Sequence, residues 1–190
     1  MSAELRQTSI HGVFELLSQP FMDSRGAFLN AFRAQEEAFI GSWSDRGIAQ
    51  VNLSSSQLVG TIRGLHMQAP PHSEAKLVRC IKGRVWDVAV DLRGKSSTYG
   101  QWHAVELTPE SANALLVPEG CAHGFQVLDP GSELLYLHSG PWVPGVDKGV
   151  RWDDPQLGIC WPLPPTELSD RDRSLPLLSE IPPFPSIDCL

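Results

Sequence analysis

The segment GRVWDVAVDL, residues 83–92, gives the strongest indication of the fold. Within it, two sets of positions alternate: Trp86, Val88, Val90 and Leu92 with Val85, Asp87, Ala89 and Asp91. Side chains two residues apart in a β-strand point to the same face, so one face of this segment is strongly apolar. The alternation predicts a half-buried strand, with its other face toward solvent.

Similar short segments lie on both sides of this one. They are rich in Val, Leu, Trp and Phe, and Gly, Pro, Asp and Ser separate them: AKLVRCI (75–81), WHAVELT (102–108), NALLVPEG (113–120), AHGFQVL (122–128) and ELLYLHSG (133–140). The chain has 16 Gly and 16 Pro, so turns are frequent. Short strands separated by turns predict an all-β protein, an antiparallel sandwich or barrel.

The rest of the chain fits a single domain over residues 1–190. One helix is predicted in FRAQEEAFIGSW (32–43), which ends near Gly41. The N-terminal third has strand-like segments without an obvious local hairpin partner. The Pro- and Leu-rich tail from about residue 161 should wrap over the barrel, with a short helical turn near LSDRD (168–172).

Composition narrows the classes of function. The formal net charge of −7 over 190 residues argues against a general nucleic-acid binder, but a few arginines in one pocket would still suffice for a phosphorylated ligand. No apolar run is long enough for a membrane span, and the first residues lack the apolar stretch of a signal peptide, so a cytoplasmic protein is expected. The four cysteines are scattered and predict reduced, mostly buried thiols.

Two motifs contain histidines that could carry chemistry. In RGLHMQ (63–68), His66 and Gln68 would share one face of an extended strand. VPEGCAHGFQVL (117–128) contains the spacing PxGxxH, which ends at His123 and is typical of the second motif of cupin barrels. On such patterns alone, a histidine is more often an ordinary hydrogen-bonded residue than a catalyst.

The first motif argues against a metal site. A metal-binding cupin would supply a HxH pair and a glutamate, whereas this chain has Gln68 two residues after His66. Glu74 precedes Lys76 at an unsuitable spacing. Two histidines without a third ligand make a poor transition-metal site, so neither a metal nor another cofactor is expected.

Three further features are uninformative when taken singly. Tyr136 in ELLYLHSG would ordinarily be a buried tyrosine with its hydroxyl satisfied. LSDRD (168–172) would ordinarily be a capped helical turn, because Ser and Asp favour N-caps. DSRGAF (23–28) would ordinarily be a solvated turn that leads into a strand.

Taken together and in order, these segments resemble the dTDP-4-dehydrorhamnose 3,5-epimerase family over about residues 10 to 175. The resemblance rests on DSRGAF (23–28), QVN (50–52), RGLHMQ (63–68), AKLVRCIKG (75–83), VPEGCAHGF (117–125), LLYL (134–137), RWDDP (151–155) and LSDRD (168–172). It implies a metal-free, cupin-type jelly-roll barrel that forms a homodimer, with N-terminal strands that cross between subunits. Such an enzyme inverts the carbons on both sides of a ketone in a nucleotide-linked 4-keto-6-deoxy sugar. Inversion requires a base and an acid on opposite faces of the sugar, and positive charge near the oxygen.

The resemblance also implies roles for individual residues. It makes His66 the base, Asp172 the carboxylate that orients it, Lys76 the group that holds the oxyanion, and Tyr136 the proton donor on the other face. Further residues are implied to contact the nucleotide sugar: Arg25, Phe28, Asn30, Gln50, Asn52, Arg63, His123, Trp142, Asp147 and Arg171.

Two positions depart from the family pattern. Asn30 stands where the family usually has a glutamate that contacts the base or the partner subunit, and Trp142 stands where it has a tyrosine. A tryptophan can still stack on a flat base or sugar face. Both changes concern recognition of the substrate and leave the implied acid, base and lysine in place.

Three other functions stay open at this point. A sister epimerase could use a CDP- or GDP-linked sugar or invert only one carbon, with the same catalytic residues. A non-catalytic sugar-binding cupin would have no need for His66, Lys76, Tyr136 and Asp172 together. A metal-dependent cupin, such as an oxygenase or isomerase, would need the missing HxH pair.

Overall fold

A computed structural model describes residues 4–33, 43 and 47–184. These residues form thirteen strands, a one-turn helix and a 3₁₀ turn at Leu178–Glu180. The strands are β1 (Glu4–Gln7), β2 (Phe14–Leu17), β3 (Phe21–Asp23), β4 (Gly26–Phe28), β5 (Gln50–Ser56), β6 (Ile62–Gln68), β7 (Lys76–Lys82), β8 (Val85–Asp91), β9 (Trp102–Leu107), β10 (Asn113–Val117), β11 (Cys121–Val127), β12 (Ser132–His138) and β13 (Asp147–Gly149), and the helix is α1 (Asp170–Arg173). The predicted all-β fold is confirmed, as is the helical turn in LSDRD.

Two antiparallel sheets form the body of the fold. One has six strands in the order β1-β2-β10-β7-β12-β5, and the other has five in the order β13-β6-β11-β8-β9. The pair β3 and β4 forms a separate hairpin. Crossovers between the sheets place strands that are distant in sequence side by side, as in a jelly-roll barrel.

Apolar side chains from both sheets meet in the interior. Phe125 and Val85 of the five-stranded sheet pack in one cluster with Val78 and Leu134 of the six-stranded sheet. Phe125 is only 2% exposed, and its complete burial stabilises the fold by about 2–3 kcal/mol. This packing fixes the distance between the sheets, so side chains around it are held at defined positions.

The outer face of the five-stranded sheet is covered too. Trp86 packs against Trp102 and against Trp161 of the C-terminal segment, with ring centroids 5.9 and 5.4 Å apart. The expectation that residues 83–92 form a half-buried strand was therefore wrong. Asp87 and Asp91, assigned to solvent by the alternation, are both completely buried, because the tail covers one face of β8 and the barrel interior the other.

The N-terminal region also differs from the sequence expectation. Strand β1 pairs with β2, and β3 pairs with β4, so these strands do have local partners. Strand β2 then pairs with β10, which ties this region to the six-stranded sheet. The predicted helix in 32–43 lies mostly outside the described residues. Among the described residues, no helix has the length and apolarity needed to cross a membrane.

Candidate active site

A cavity of about 760 Å³ opens between the two sheets. Its size is within the range of small-molecule sites. The polar and charged residues on its wall come from β5, from β6 and the residue before it, from β7, β11 and β12, and from the segment 167–172: Asn52, Ser54, Thr61, Arg63, His66, Lys76, His123, Tyr136, His138, Glu167, Ser169, Arg171 and Asp172. All four residues that the resemblance implies to be catalytic therefore lie on one cavity.

His66 and Asp172 form a short hydrogen-bonded pair. His66 Nε2 lies 2.7 Å from Asp172 Oδ1, and Gly64 N donates to Asp172 Oδ2 at 3.1 Å. Burial alone would raise the pKa of Asp172, but its hydrogen bonds to His66, Gly64 and Ser169 lower it overall. An ionised Asp172 keeps a proton on Nε2 and leaves Nδ1 of His66 as the nitrogen able to accept one.

Gly64 allows the backbone of β6 to come close enough for its N–H to reach Asp172. It has φ +130°, and a Cβ at this position would lie 2.5 Å from the Cα of Gly124 on β11. Only glycine tolerates both conditions. Strands β6 and β11 can then pack closely with Gly64 N–H directed at Asp172, which sits on α1, where Ser169 caps the helix.

A second histidine–aspartate pair stands beside the first. His123 is the cross-strand partner of His66 in the β11–β6 ladder, and its Nε2 lies 2.8 Å from Asp87 Oδ1. Asp87 is completely buried, and burial raises its pKa against the opposing effects of His123 and Lys76. The five-stranded sheet thus presents two imidazoles to the cavity, each held by a buried carboxylate.

Lys76 lies on the other sheet. Its Nζ donates to the carbonyl oxygen of His66 at 3.1 Å and lies 3.3 Å from Glu74 Oε1. Burial raises the pKa of Glu74, while Lys76 and Gln68 oppose that effect. An ammonium has three donors, and two of those of Lys76 are engaged here, so one remains for a group in the cavity.

Tyr136 lies on β12, also in the six-stranded sheet. Its hydroxyl is 3.1 Å from Ser54 Oγ, and its ring meets that of His123 edge to face, with centroids 6.0 Å apart. Burial raises the pKa of Tyr136 well above its usual range. The phenol therefore stays protonated at neutral pH, as a proton donor must.

The predicted substrate-binding residues fall into three groups. Asn52, Arg63, His123 and Arg171 line the cavity itself. Gln50, Trp142 and Asp147 are linked to it through hydrogen bonds and an ion pair: Gln50 Nε2 to Asn52 Oδ1 at 2.9 Å, Trp142 N to Gln50 Oε1 at 2.8 Å, Trp142 Nε1 to Asp147 Oδ2 at 3.2 Å, and Arg171 Nη2 to Asp147 Oδ1 at 3.4 Å.

The third group is not on this cavity wall. The side chain of Arg25 is 86% exposed and pairs with Asp23. Phe28, at the end of the same hairpin, is 62% exposed, and Asn30 follows it. The structure thus does not bring these three residues together with the catalytic ones within this chain.

Sequence reasoning missed several residues of the site. Asp87 could have been found as an acidic residue inside an apolar strand. His138 stands two residues after Tyr136, so the alternation of a strand would have put it on the same face. Glu74 was considered only as a metal ligand, and no signal pointed to Ser54. Among the described residues, no group of three or more His, Cys, Asp or Glu side chains is arranged to hold a metal ion.

The fold and the side chains around the cavity define a class of protein: an all-β barrel with the groups that proton-transfer chemistry needs. A barrel-type fold carries a histidine paired with a carboxylate on one side of a cavity, and a protonated phenol and a lysine ammonium on the other. These groups can remove a proton, hold an oxyanion and return a proton.

Comparison with known proteins identifies the family. Residues 7–180 match the sequence profile of dTDP-4-dehydrorhamnose 3,5-epimerase. A protein of that name from Sinorhizobium fredii is 43% identical over 175 residues, which are 92% of this chain and 89% of the relative. A dTDP-4-dehydrorhamnose 3-epimerase from Streptomyces niveus is 40% identical over 176 residues, 93% of this chain and 84% of the relative.

A solved structure agrees with the sequence comparison. It is a dTDP-6-deoxy-D-glucose-3,5-epimerase from Legionella pneumophila in complex with dTDP-4-keto-L-rhamnose. It superposes with a TM-score of 0.90 at 35% identity, covering 97% of this chain and 98% of that one. The chain belongs to the dTDP-4-dehydrorhamnose 3,5-epimerase family and is an epimerase of the isomerase class.

Proposed function

We propose that this epimerase inverts C3 and C5 of a dTDP-linked 4-keto-6-deoxyhexose by proton transfer. Nδ1 of His66 takes the proton from a carbon next to the ketone, and the electron pair of the C–H bond moves to form an enolate. The Lys76 ammonium holds the enolate oxygen. The carbon then takes a proton from the Tyr136 hydroxyl on the other face, and solvent restores both side chains. The same steps at the second carbon complete the reaction.

One observation carries this proposal. His66 stands on the five-stranded sheet and is hydrogen-bonded to Asp172 of α1, whereas Tyr136 and Lys76 stand on the six-stranded sheet across one cavity. A sugar ring held between the sheets has one face toward the imidazole and the other toward the phenol. Deprotonation from one face and reprotonation from the other is what inversion requires.

Deuterium uptake tests the proposal directly. The enzyme is incubated in heavy water with dTDP-4-keto-6-deoxyglucose, and the sugar is followed by NMR. We expect deuterium at C3 and C5 together with inversion of both centres, and His66→Ala should abolish exchange while dTDP binding largely survives. No exchange at either carbon with the wild-type enzyme would reject the assigned reaction.

A second candidate reaction inverts C3 alone. It is favoured by the relative from Streptomyces niveus, whose name specifies a 3-epimerase. The catalytic groups would be the same, so the pattern of exchange separates the two reactions: uptake and inversion confined to C3 would identify the single epimerisation. CDP- and GDP-linked sugars in the same assay test the choice of nucleotide, to which Asn30 and Trp142 are relevant.

We also propose that the enzyme is a homodimer in which each hairpin β3–β4 completes the partner's cavity. Two features support this. Arg25 and Phe28 are exposed and lie off the cavity wall of their own chain. On the edge strand β5, Val51 and Leu53 are 55% and 70% exposed, an apolar surface that a second copy would cover.

Mixing two inactive variants tests the exchange of hairpins. If Arg25 serves the partner's cavity, a mixed dimer of His66→Ala and Arg25→Ala subunits has one intact site. Refolding the variants together should then recover about a quarter of the wild-type activity, because half of the dimers are mixed and half of their sites are intact. His66→Ala mixed with Tyr136→Phe is the matched control and should recover nothing. No recovery in the first mixture, or a monomeric mass in solution, would contradict the proposal.

A cytoplasmic location, expected from the sequence, is part of the proposal as well. Cell fractionation with an antibody to the chain would test it, and recovery in a secreted or membrane fraction would contradict it.

A further inference from the structure

His138 is a cavity residue that the proposed reaction does not use. It follows Tyr136 by two residues on β12, and the two rings stack with centroids 6.1 Å apart and an interplanar angle of 24°. In the β12–β7 ladder it stands directly opposite Lys76. Burial, with Lys76 and His123 nearby, lowers the pKa of His138 to about 4, so the ring is neutral at physiological pH.

The hydrogen bonds around His138 determine which of its nitrogens carries the proton. Trp142 N–H can only donate, so its 2.8 Å bond makes Oε1 of Gln50 the acceptor. The amide of Gln50 then donates to Asn52 Oδ1 at 2.9 Å, which leaves Asn52 Nδ2 as the donor toward His138 Nε2 at 3.3 Å. Nε2 of His138 is therefore the acceptor, and its proton is on Nδ1, which faces Glu74 Oε1 at 3.9 Å.

A second chain of hydrogen bonds also leads to Glu74, and it begins at Val143, the residue after Trp142. Val143 N–H donates to Gln68 Oε1 at 2.7 Å, which fixes the orientation of that amide. Gln68 Nε2 then donates to Glu74 Oε2. Two consecutive peptide N–H groups thus begin two chains of donors directed at one buried carboxylate, 4% exposed. The chain through Gln68 ends in a hydrogen bond to Glu74, and the chain through His138 ends in a 3.9 Å electrostatic contact.

Glu74 in turn contacts Lys76. With one donor of the ammonium on Glu74 and one on the carbonyl of His66, the direction of the remaining N–H is set by these two acceptors. We infer that Glu74 and His138 are a positioning pair, which aims Lys76 into the cavity and makes that aim depend on the Trp142–Val143 loop. The inference rests on the proposed function, in which Lys76 holds the enolate oxygen, and neither positioning residue touches the reacting atoms.

The tautomer of His138 is an observable that needs no substrate. Nitrogen-15 spectra of histidine-labelled enzyme at neutral pH distinguish a proton on Nδ1 from one on Nε2. We expect the Nδ1–H form for His138, assigned by its loss in His138→Gln. A proton on Nε2, or a charged ring at neutral pH, would overturn the inference whether or not the enzyme turns over.

Kinetics test the consequence for Lys76. His138→Leu removes both nitrogens, and Glu74→Gln places an amide donor against the donors of Gln68 and His138. In both variants we expect kcat to fall about ten- to a hundredfold with little change in KM or dTDP affinity, because a misaimed group slows chemistry more than binding. His138→Gln can accept from Asn52 and donate to Glu74, and should stay within about threefold of the wild type by the same reasoning.

The matched control is His103→Leu. His103 is also partly buried and pairs with a glutamate, Glu15, at 2.9 Å, but it does not line the cavity. It should lose stability without losing kcat. Unchanged kcat in His138→Leu, or parallel losses of kcat, dTDP affinity and melting temperature in both His138→Leu and His138→Gln, would overturn the inference. An inactive wild-type enzyme would instead reject the proposed reaction.

Discussion

Replacing Asp172 with asparagine perturbs the proposed base without changing its shape. Asp172 is 5% exposed at its side chain and uses its two oxygens for different donors, Oδ1 for His66 Nε2–H and Oδ2 for Gly64 N–H. Both partners donate, so both positions require an acceptor. Asparagine offers one acceptor and one NH₂ group, and it can satisfy only one of them.

Each orientation of the asparagine amide is unfavourable for a different reason, one for the reaction rate and the other for stability. If its oxygen accepts from Gly64, the NH₂ donates to Nε2 of His66, the ring proton moves to Nδ1, and the nitrogen that should act as base is blocked. A comparable wrong tautomer in a serine protease lowers kcat by about 10⁴-fold. If the oxygen instead faces His66, two N–H groups oppose each other at Gly64 in a buried site, which costs about 1–3 kcal/mol of stability.

We therefore expect Asp172→Asn to lower kcat by about 10³- to 10⁴-fold, since the first orientation leaves no opposed donors. Deuterium uptake from heavy water is the assay, because it reports proton removal whether or not inversion follows. Exchange at both carbons should fall together, with dTDP affinity within a fewfold of the wild type. Exchange within about tenfold of the wild-type rate would refute the reasoning, since general-base catalysis contributes about 10²–10⁴-fold.

Three further predictions concern the acid, the oxyanion and the pH range. Tyr136→Phe should still exchange substrate hydrogen but form little inverted product, because the enolate is reprotonated from its original face; normal inversion in this variant would identify another acid. Activity should survive EDTA, since Lys76 supplies the positive charge, and loss of turnover restored by a divalent ion would contradict this. Burial lowers the pKa of His138 from 6.5 in the unfolded chain to about 4 in the folded protein, so the unfolded chain holds more protons between these pH values, and stability falls as the pH drops through them. The loss should approach about 3 kcal/mol by pH 4 in chemical denaturation, and His138→Gln should remove it.

The sequence predicted the fold class well because most strands have a clear local pattern. Strands β7, β8 and β10 to β12 all coincide with segments that short apolar runs and flanking turn residues mark out. At β8 the prediction of a half-buried strand was wrong, because it assumed that the polar residues of an alternating strand face water. Whether Asp87 meets water or a histidine depends on what covers its face of β8, and that is decided by the barrel interior and by His123 of β11, 36 residues away in sequence.

The same difference between local sequence patterns and contacts from distant residues applies to the candidate site. Ordered motifs predicted His66, Lys76, His123, Tyr136 and Asp172, and all five line one cavity, although their roles stay predictions. Asp87 and Ser54, which hydrogen-bond to His123 and Tyr136, were not predicted, because each lies on a different strand from its partner. Arg25, Phe28 and Asn30 show the opposite case: their motif was found, but one chain does not supply the surroundings in which they would act.

The placement of the catalytic groups also bears on how many carbons are inverted. C3 and C5 flank the same ketone, so both inversions generate an enolate whose oxygen lies at C4, within reach of the same Lys76. In the proposed reaction one base, His66, and one acid, Tyr136, serve both carbons, so the second carbon must be brought to them after the first. We expect this shift of the ring to depend on how the nucleotide end is held, for which Asn52, Arg171, Trp142 and Asp147 are the predicted contacts, and not on the acid or base.

Substituting Trp142, which is 55% exposed, should therefore change the ratio of exchange at C5 to exchange at C3 while leaving exchange at one carbon near its original rate. Equal losses at both carbons in Trp142→Ala would show instead that this residue only binds the substrate.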